Sequence, residues 1–272
     1  TDDLAVAVGG ADLLVVGVPT HGFRHTLESA AAAVGPRTPV ISLAKGFERS
    51  TGLRMSQVAA EVLPGRPVGV LTGPNLAREI LEGRSAATVI AATDPAAASA
   101  LQGLLASDRF RVYTNEDLVG CELGGALKNV IALAAGMAEG LDTGDNARAA
   151  LITRGLAEMT RLGVALGGDP MTFAGLAGMG DVMATCMSSQ SRNRWVGEQV
   201  GRGAAPDRVL AGMDQVAEGV RTATVACELA ASVAMEVPVA EGVRSVFDDG
   251  RSPTEVWSAL MARRTGPEVA TT

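Results

Sequence analysis

Along the first third of the chain, short unbroken apolar runs alternate with stretches whose apolar residues recur every three or four positions. The runs over 12–18, 39–44, 67–72 and 87–92, with a weaker fifth at 110–113, lack polar alternation. That is the pattern of strands buried on both faces. Helical spacing between them predicts helices near 21–34, 50–63, 74–82 and 95–107. Strands alternating with helices predict an open parallel α/β sheet. Such sheets take ligands at the carboxyl ends of their strands. The turns Pro19-Thr20-His21, Ala44-Lys45-Gly46-Phe47 and Thr72-Gly73-Pro74-Asn75 are therefore where chemistry is expected.

From about Asn115 the strand pattern stops. Helices are predicted over 116–139, 145–166, 170–176, 190–201, 206–211, 215–234, 238–247 and 252–263. Glycine, aspartate and proline clusters at 167–170, 201–203 and 248–250 separate them. Ser252-Pro253-Thr254-Glu255 sets a cap and a proline at a helix start. The expected fold class is α/β plus all-α: a partial Rossmann-type parallel-sheet domain over 1–115, then a helical domain over 116–272. A length of 272 residues suits two cores better than one.

Composition narrows the function. Hydrophobic residues make up 47%, ample for a packed core. A net charge of -7 without a basic stripe argues against nucleic acid as partner, and 3% aromatics leave no base-stacking platform. Three cysteines (Cys121, Cys186, Cys227) without a CxxC pair, and two histidines, leave little for a metal cage. His21 and His25 stand four apart with no carboxylate or cysteine pattern nearby, so capping or cofactor contact is expected there, not metal. The sparse cysteines suit a reducing cytoplasm. No apolar run reaches the roughly 18 residues of a membrane span. Thr1–Leu4 has no Met and no basic region; it is read as no signal peptide and not as a natural beginning.

Only two of the 23 basic residues are lysines, Lys45 and Lys128. Arginine-rich codon usage replaces surface lysines readily. It does not replace a lysine needed for its compact ammonium or tunable pKa. The stretch Glu122–Gly136 places Leu123, Leu127, Val130, Ile131 and Ala134 on one helix face, and Gly125, Lys128, Ala132 and Gly136 on the other. A helix apolar or small all round is buried, so Lys128 is expected in a dry place, with a lowered pKa suited to proton transfer. The competing reading is a snorkelling lysine or one paired with Glu122. In Ser188–Trp195 an arginine falls in a first helical turn; exposed N–H groups with a forked guanidinium make a phosphate site, the alternative being an ordinary solvated arginine pair. Gly175–Asp181 is not a dinucleotide fingerprint. Asp181 is either a carboxylate that orients a lysine or a plain turn residue.

Taken in order, ADLLVVGVPTHGFR (11–24), ISLAKGF (41–47), LTGPNLAREI (71–80), GALKNVIALAAG (125–136), GDNARAALITRGLAEM (144–159), GLAGMGDVMATC (175–186), SRNR (191–194) and QVAEGVRTA (215–223) resemble the bacterial NAD(P)-dependent glycerol-3-phosphate dehydrogenase family. The resemblance implies a helical domain like that of 6-phosphogluconate dehydrogenase, an NAD(P)H cofactor, interconversion of dihydroxyacetone phosphate and sn-glycerol 3-phosphate for phospholipid synthesis, and a cytoplasmic homodimer. It makes Lys128 the proton donor, Lys45 the second active-site lysine and Asp181 their organising carboxylate. Substrate contacts fall on Gly73, Asn75, Asn129, Thr185, Ser191, Arg192 and Asn193. Cofactor contacts fall on Pro19, His21, Lys45, Ala77, Arg192, Val216 and Glu218. Position 75 is more often Ser or Thr in that family. The family's opening strand and glycine-rich phosphate loop have no counterpart here: no GxGxxG precedes a helix. The chain is therefore expected to be a truncated form that binds dinucleotide weakly by itself. Two other readings are a 3-hydroxyacid dehydrogenase or ketopantoate reductase of the same plan, and a non-enzymatic oligomerisation module.

Overall fold

The computed structural model describes residues 1–213 and 216–263. The expected helix start at 215, the Gln215 end of the last matching stretch and residues 264–272 lie outside the described residues. Five strands form the sheet: β1 (Leu14–Val16), β2 (Val40–Ser42), β3 (Val68–Thr72), β4 (Ala86–Ala92) and β5 (Phe110–Asn115), lying side by side in that order. β1, β2 and β3 are parallel, as expected. β4 runs antiparallel to β3, and β5 runs parallel to β4, so the sheet is mixed where a parallel one was expected. The cause is the connection after β3. The helix expected at 74–82 contracts to α4 (Ala77–Leu81), which buries none of its residues. A parallel return needs a helix that packs across the sheet face. α4 does not pack there, so the chain turns back.

Four further helices belong to this half. α1 (Leu4–Val8) was not expected; Asp3 caps it by accepting from the backbone N–H groups of Ala5 and Val6. α2 (Thr20–Ala30) and α3 (Met55–Val62) bury Phe23, Leu27, Met55 and Val58 against Val16, Val40 and Val68. α5 (Pro95–Leu105) packs Ala98 and Leu101 on Ile90 and Val112 and carries the crossover from β4 to β5.

The second half is helical and built around α6 (Leu118–Gly140). Around α6 lie α7 (Asp145–Ala165), α8 (Pro170–Ala174), α9 (Asp181–Met187), α10 (Arg192–Gly201), α11 (Pro206–Ala211), α12 (Glu218–Ser232), α13 (Pro238–Phe247) and α14 (Pro253–Met261). Every residue of α6 from Gly120 to Ala138 is buried. By length and composition α6 could cross a bilayer, with a mean hydropathy of 1.4 over its most apolar stretch, although its unbroken apolar runs are short. That stretch is 89% buried inside the protein, so α6 is a core helix. The segment read as a turn at 175–181 is instead a π-helical turn (Leu176–Gly180) running directly into α9. Gly178 lets this turn lie on the backbone of Phe173, where a Cβ would collide. Asp181 consequently sits in a first helical turn rather than in a loop.

α6 and α10 cross at backbone contact. Gly136 and Gly140 of α6 face the backbones of Arg194 and Glu198; reciprocally, Gly197 and Gly201 of α10 face those of Leu133 and Met137. A Cβ at any of the four would strike backbone, which cannot swing aside. Gly197→Ala should therefore destabilise the protein by about 1–3 kcal/mol or more. Thermal unfolding would show the loss as a fall of several degrees; an unchanged midpoint would contradict the close crossing.

Candidate active site

The carboxyl ends of β1, β2 and β3 face the helical half across a cleft of about 380 Å³. At its floor lies Lys128, only 6% exposed, as the apolar and small-residue pattern of its helix predicts. Its ammonium donates to Asp181 Oδ1 at 2.5 Å and to Thr185 Oγ1 at 2.6 Å. Asp181 and Thr185 stand one helical turn apart on α9, and the Thr185 hydroxyl also donates to Asp181 Oδ1 at 3.3 Å. Glu122 is not its partner; that carboxylate is spent on Arg54 and Ser56.

Lys45 enters from the turn after β2. Its ammonium donates to Asp181 Oδ2 at 2.5 Å and to the Gly73 carbonyl at 2.8 Å. Gly73 presents that carbonyl from a φ of 111°, which a side chain would oppose. One carboxylate thus holds two ammonium groups, and all but 2% of it is shielded from solvent. Burial pushes the Lys128 pKa down to about 8; the charge of Lys45 pushes the same way, and Asp181 opposes both. Cys186 lies beside them, but burial pushes its thiol up to about 12, so it stays protonated and unreactive.

The opposite wall is the start of α10. Ser191 caps the helix, its Oγ accepting from the Arg194 N–H at 3.2 Å. The N–H groups of Arg192 and Asn193, first in the helix, are left for a ligand by helix geometry. Arg192 lines the cleft, and among the described residues no carboxylate pairs with it. Arg194 instead turns to Glu198 at 3.2 Å. The expected arginine pair is therefore split, one member facing the cleft and one fixed on its own helix. Asn193 Nδ2 donates to Asn129 Oδ1 at 3.0 Å, and Asn193 Oδ1 accepts from the Gly219 N–H at 3.0 Å. Asn129 Nδ2 in turn donates to the Lys45 carbonyl at 3.2 Å.

On the sheet side, Pro19 and Asn75 line the cleft, with Val216 and Glu218 facing them from the helical half. Asn75 Nδ2 donates to Thr88 Oγ1 at 2.8 Å, and Thr88 donates to the Thr72 carbonyl at 2.7 Å. Asn75 Oδ1 is left buried and, among the described residues, without a donor. His21 and Ala77 are exposed and do not line the cleft, and Gly73 reaches it only through Lys45. Sequence reading placed Thr20 in a turn where chemistry is expected but gave it no role: buried at the start of α2, it donates its hydroxyl to Glu218 Oε2 at 2.7 Å and its N–H to Glu218 Oε1 at 3.2 Å. It missed Gly17, Val18, Leu43, Leu76 and Gln190, which also line the cleft. The strand-end rule points at most of them, since they flank the turns it selects.

Val18, Pro19 and Leu43 give the sheet-side wall an apolar surface beside the single charge of Lys45. That chemistry fits the nicotinamide end of a dinucleotide: a flat, weakly polar ring next to a cation. Among the described residues, no group of three His, Cys, Asp or Glu side chains is placed to hold a metal ion.

Comparison with known proteins agrees across both halves. Residues 1–98 match the family model described as NAD-dependent glycerol-3-phosphate dehydrogenase N-terminus, and residues 117–258 match the C-terminus model of that description. A glycerol-3-phosphate dehydrogenase [NAD(P)+] of Sphingopyxis alaskensis is 54% identical over 98% of this chain and 80% of its own length. One from Mycobacterium avium is 50% identical over 99% of this chain and 79% of its own. The crystal structure of glycerol-3-phosphate dehydrogenase from Coxiella burnetii superposes with a TM-score of 0.92 at 34% identity, covering 96% of this chain and 80% of that one.

Asp181→Asn would leave two ammonium groups facing each other without their anion. Breaking a buried pair in this way costs about 3–5 kcal/mol. Urea unfolding should show that loss at neutral pH; equal midpoints for the variant and the parent would contradict the shared ion pair.

Proposed function

The chain belongs to the NAD-dependent glycerol-3-phosphate dehydrogenase family, and from that premise we propose how its cleft divides the work of interconverting dihydroxyacetone phosphate and sn-glycerol 3-phosphate. One observation carries the proposal: the buried Lys128 ammonium, held by Asp181 and Thr185, shares a cleft with Arg192, which pairs with no carboxylate among the described residues. Arg192 and the first N–H groups of α10, at Arg192 and Asn193, clamp the phosphate. The Asn193 side chain is already engaged by Asn129 and Gly219, so it holds the start of α10 in place while its backbone meets the phosphate. Lys128 gives its proton to the substrate carbonyl oxygen as that oxygen gains negative charge, and Lys45 adds positive potential at the same atom. Asp181 keeps both cations aimed. Asn75 Oδ1, which has no donor among the described residues, accepts from a substrate hydroxyl.

Pro19, Lys45, Val216 and Glu218 would hold NAD(P)H, which when bound would supply the hydride in the reducing direction. Glu218, anchored to Thr20, closes that end of the cleft. His21 and Ala77 lie outside the cleft and belong to the proposal only as outer contacts of the nucleotide. Family membership supports, within the same proposal, a cytoplasmic homodimer whose product serves phospholipid synthesis.

A keto-acid reductase of the same plan needs no phosphate clamp, and an oligomerisation module needs no dry ammonium. Lys128→Ala should lower turnover of dihydroxyacetone phosphate by about 10²–10⁴-fold. Arg192→Ala should raise the KM for that substrate roughly tenfold to a hundredfold, as expected for charge-assisted hydrogen bonds. Steady-state assays with NADPH check both; faster turnover of an unphosphorylated keto acid would sink the assignment. The pH dependence has a defined sign. The donor is the ammonium, so reduction should be fast below the Lys128 pKa of about 8 and fall above it, while oxidation should rise. A flat profile between pH 7 and 10 would rule out Lys128 as the donor.

A further inference from the structure

We infer that Glu122, outside the cleft and touching no reacting atom, is a positioning residue that fixes Lys45 against Lys128. The inference rests on the functional reading above. Lys45 arrives from the sheet domain and Lys128 from α6; among the described residues, only their shared carboxylate joins them directly. The spacing of the two ammonium groups therefore depends on how firmly the segment bearing Lys45 is held to α6.

Three contacts hold it. The Lys45 carbonyl accepts from Asn129 of α6. Two residues further on, Phe47 is buried in the core of the helical half, although it belongs to a sheet-domain turn. Phe47 pairs with Arg54 in an antiparallel bridge, and the loop between them is closed by the Glu48 N–H donating to the Leu53 carbonyl at 2.9 Å. The far leg of this loop is then clamped by Glu122. The carboxylate accepts from Arg54 Nη1 at 2.5 Å, from the Ser56 N–H at 2.8 Å and from Ser56 Oγ at 2.5 Å. Ser56 lies in the first turn of α3, so Glu122 also meets the positive end of that helix.

The clamp and the proton donor are thus carried by the same buried helix, less than two turns apart. A rigid helix transmits the position of the clamp to the lysine. If Glu122 lets go, Phe47, the Asn129 amide and the pairing of Glu48 with Arg24 still anchor the loop from Lys45 to Arg54, but its far leg is no longer tied to α6. A misplacement near 1 Å at a reacting centre can cost on the order of 10²-fold in rate.

Among the described residues, the charges that act on Lys128 while it titrates are those of Lys45 and Asp181; Cys186, also beside it, keeps its proton. Of these, only Lys45 rides on the clamped loop, so the titration of Lys128 reports whether that loop has moved. Glu122→Gln in the full chain should lower kcat for dihydroxyacetone phosphate about tenfold with little change in KM. Its alkaline limb should shift upward as Lys45 withdraws. Ser56→Ala, which removes one of the three hydrogen bonds, should do the same to a smaller extent and covers the case in which the first variant does not fold. Because the chain has only two lysines, reductive methylation mapped by mass spectrometry reads the same shift without turnover. A parent that reduces no dihydroxyacetone phosphate would refute the functional reading, and the methylation profile would still judge the clamp. Variants that lose thermal stability while kcat and the Lys128 profile stay at parental values would reduce Glu122 to a purely structural contact and overturn the inference.

Discussion

Two ammonium groups cannot share a dry cavity unless an anion lies between them, and Asp181 is that anion. The rest of the site follows from this constraint. Asp181 must be buried, or water would screen it; it must be rigid, or it would pair with one lysine and release the other. The π-helical turn meets both needs, because it delivers Asp181 as the first residue of α9, with Thr185 one turn on to hold Lys128 from the side. Desolvation and the neighbouring charge of Lys45 then weaken the hold of Lys128 on its proton, while the carboxylate keeps it from being lost altogether.

The halves of the molecule are joined so that this balance survives. α6 passes through the centre and is locked to α10 by four glycines at backbone contact, which fixes Lys128 relative to Arg192. Two carboxylates from the helical half reach across to the sheet domain, and each meets the start of a helix there: Glu218 at α2 and Glu122 at α3. Both contacts are favourable for the same reason, since unpaired N–H groups and a positive dipole end wait at a helix N-terminus. The cleft lies between these two attachments, and its walls are the turns that the attachments hold.

Much of this could be read from the amino-acid sequence. The strands appeared as unbroken apolar runs because burial on both faces leaves no room for polar residues. Lys128 stood out because a lone lysine on a helix of small and apolar residues has nowhere wet to go. Other features could not be read, because they depend on contacts between distant parts of the chain. The reversal of β4 turns on whether α4 packs against the sheet, and the sequence of 74–82 shows a helix without showing what it touches. The glycines at 175, 178 and 180 looked like a turn because a π-helical turn has no pattern of its own. Glu122 looked like a partner for Lys128 by proximity along the helix; its true partners, Arg54 and Ser56, lie 68 and 66 residues away. Thr20 carried no signal beyond its place at a strand end, since its role depends on Glu218, 198 residues later.

The central claim is that Lys128 is a buried, weakened acid. With lysine labelled at the ε-carbon, the protein should give two resonances, one for each lysine. The resonance that disappears in a Lys128→Arg variant should titrate with a midpoint of about 8. A midpoint near the ordinary lysine value of about 10.4 would contradict the account, because burial and Lys45 would then not outweigh Asp181.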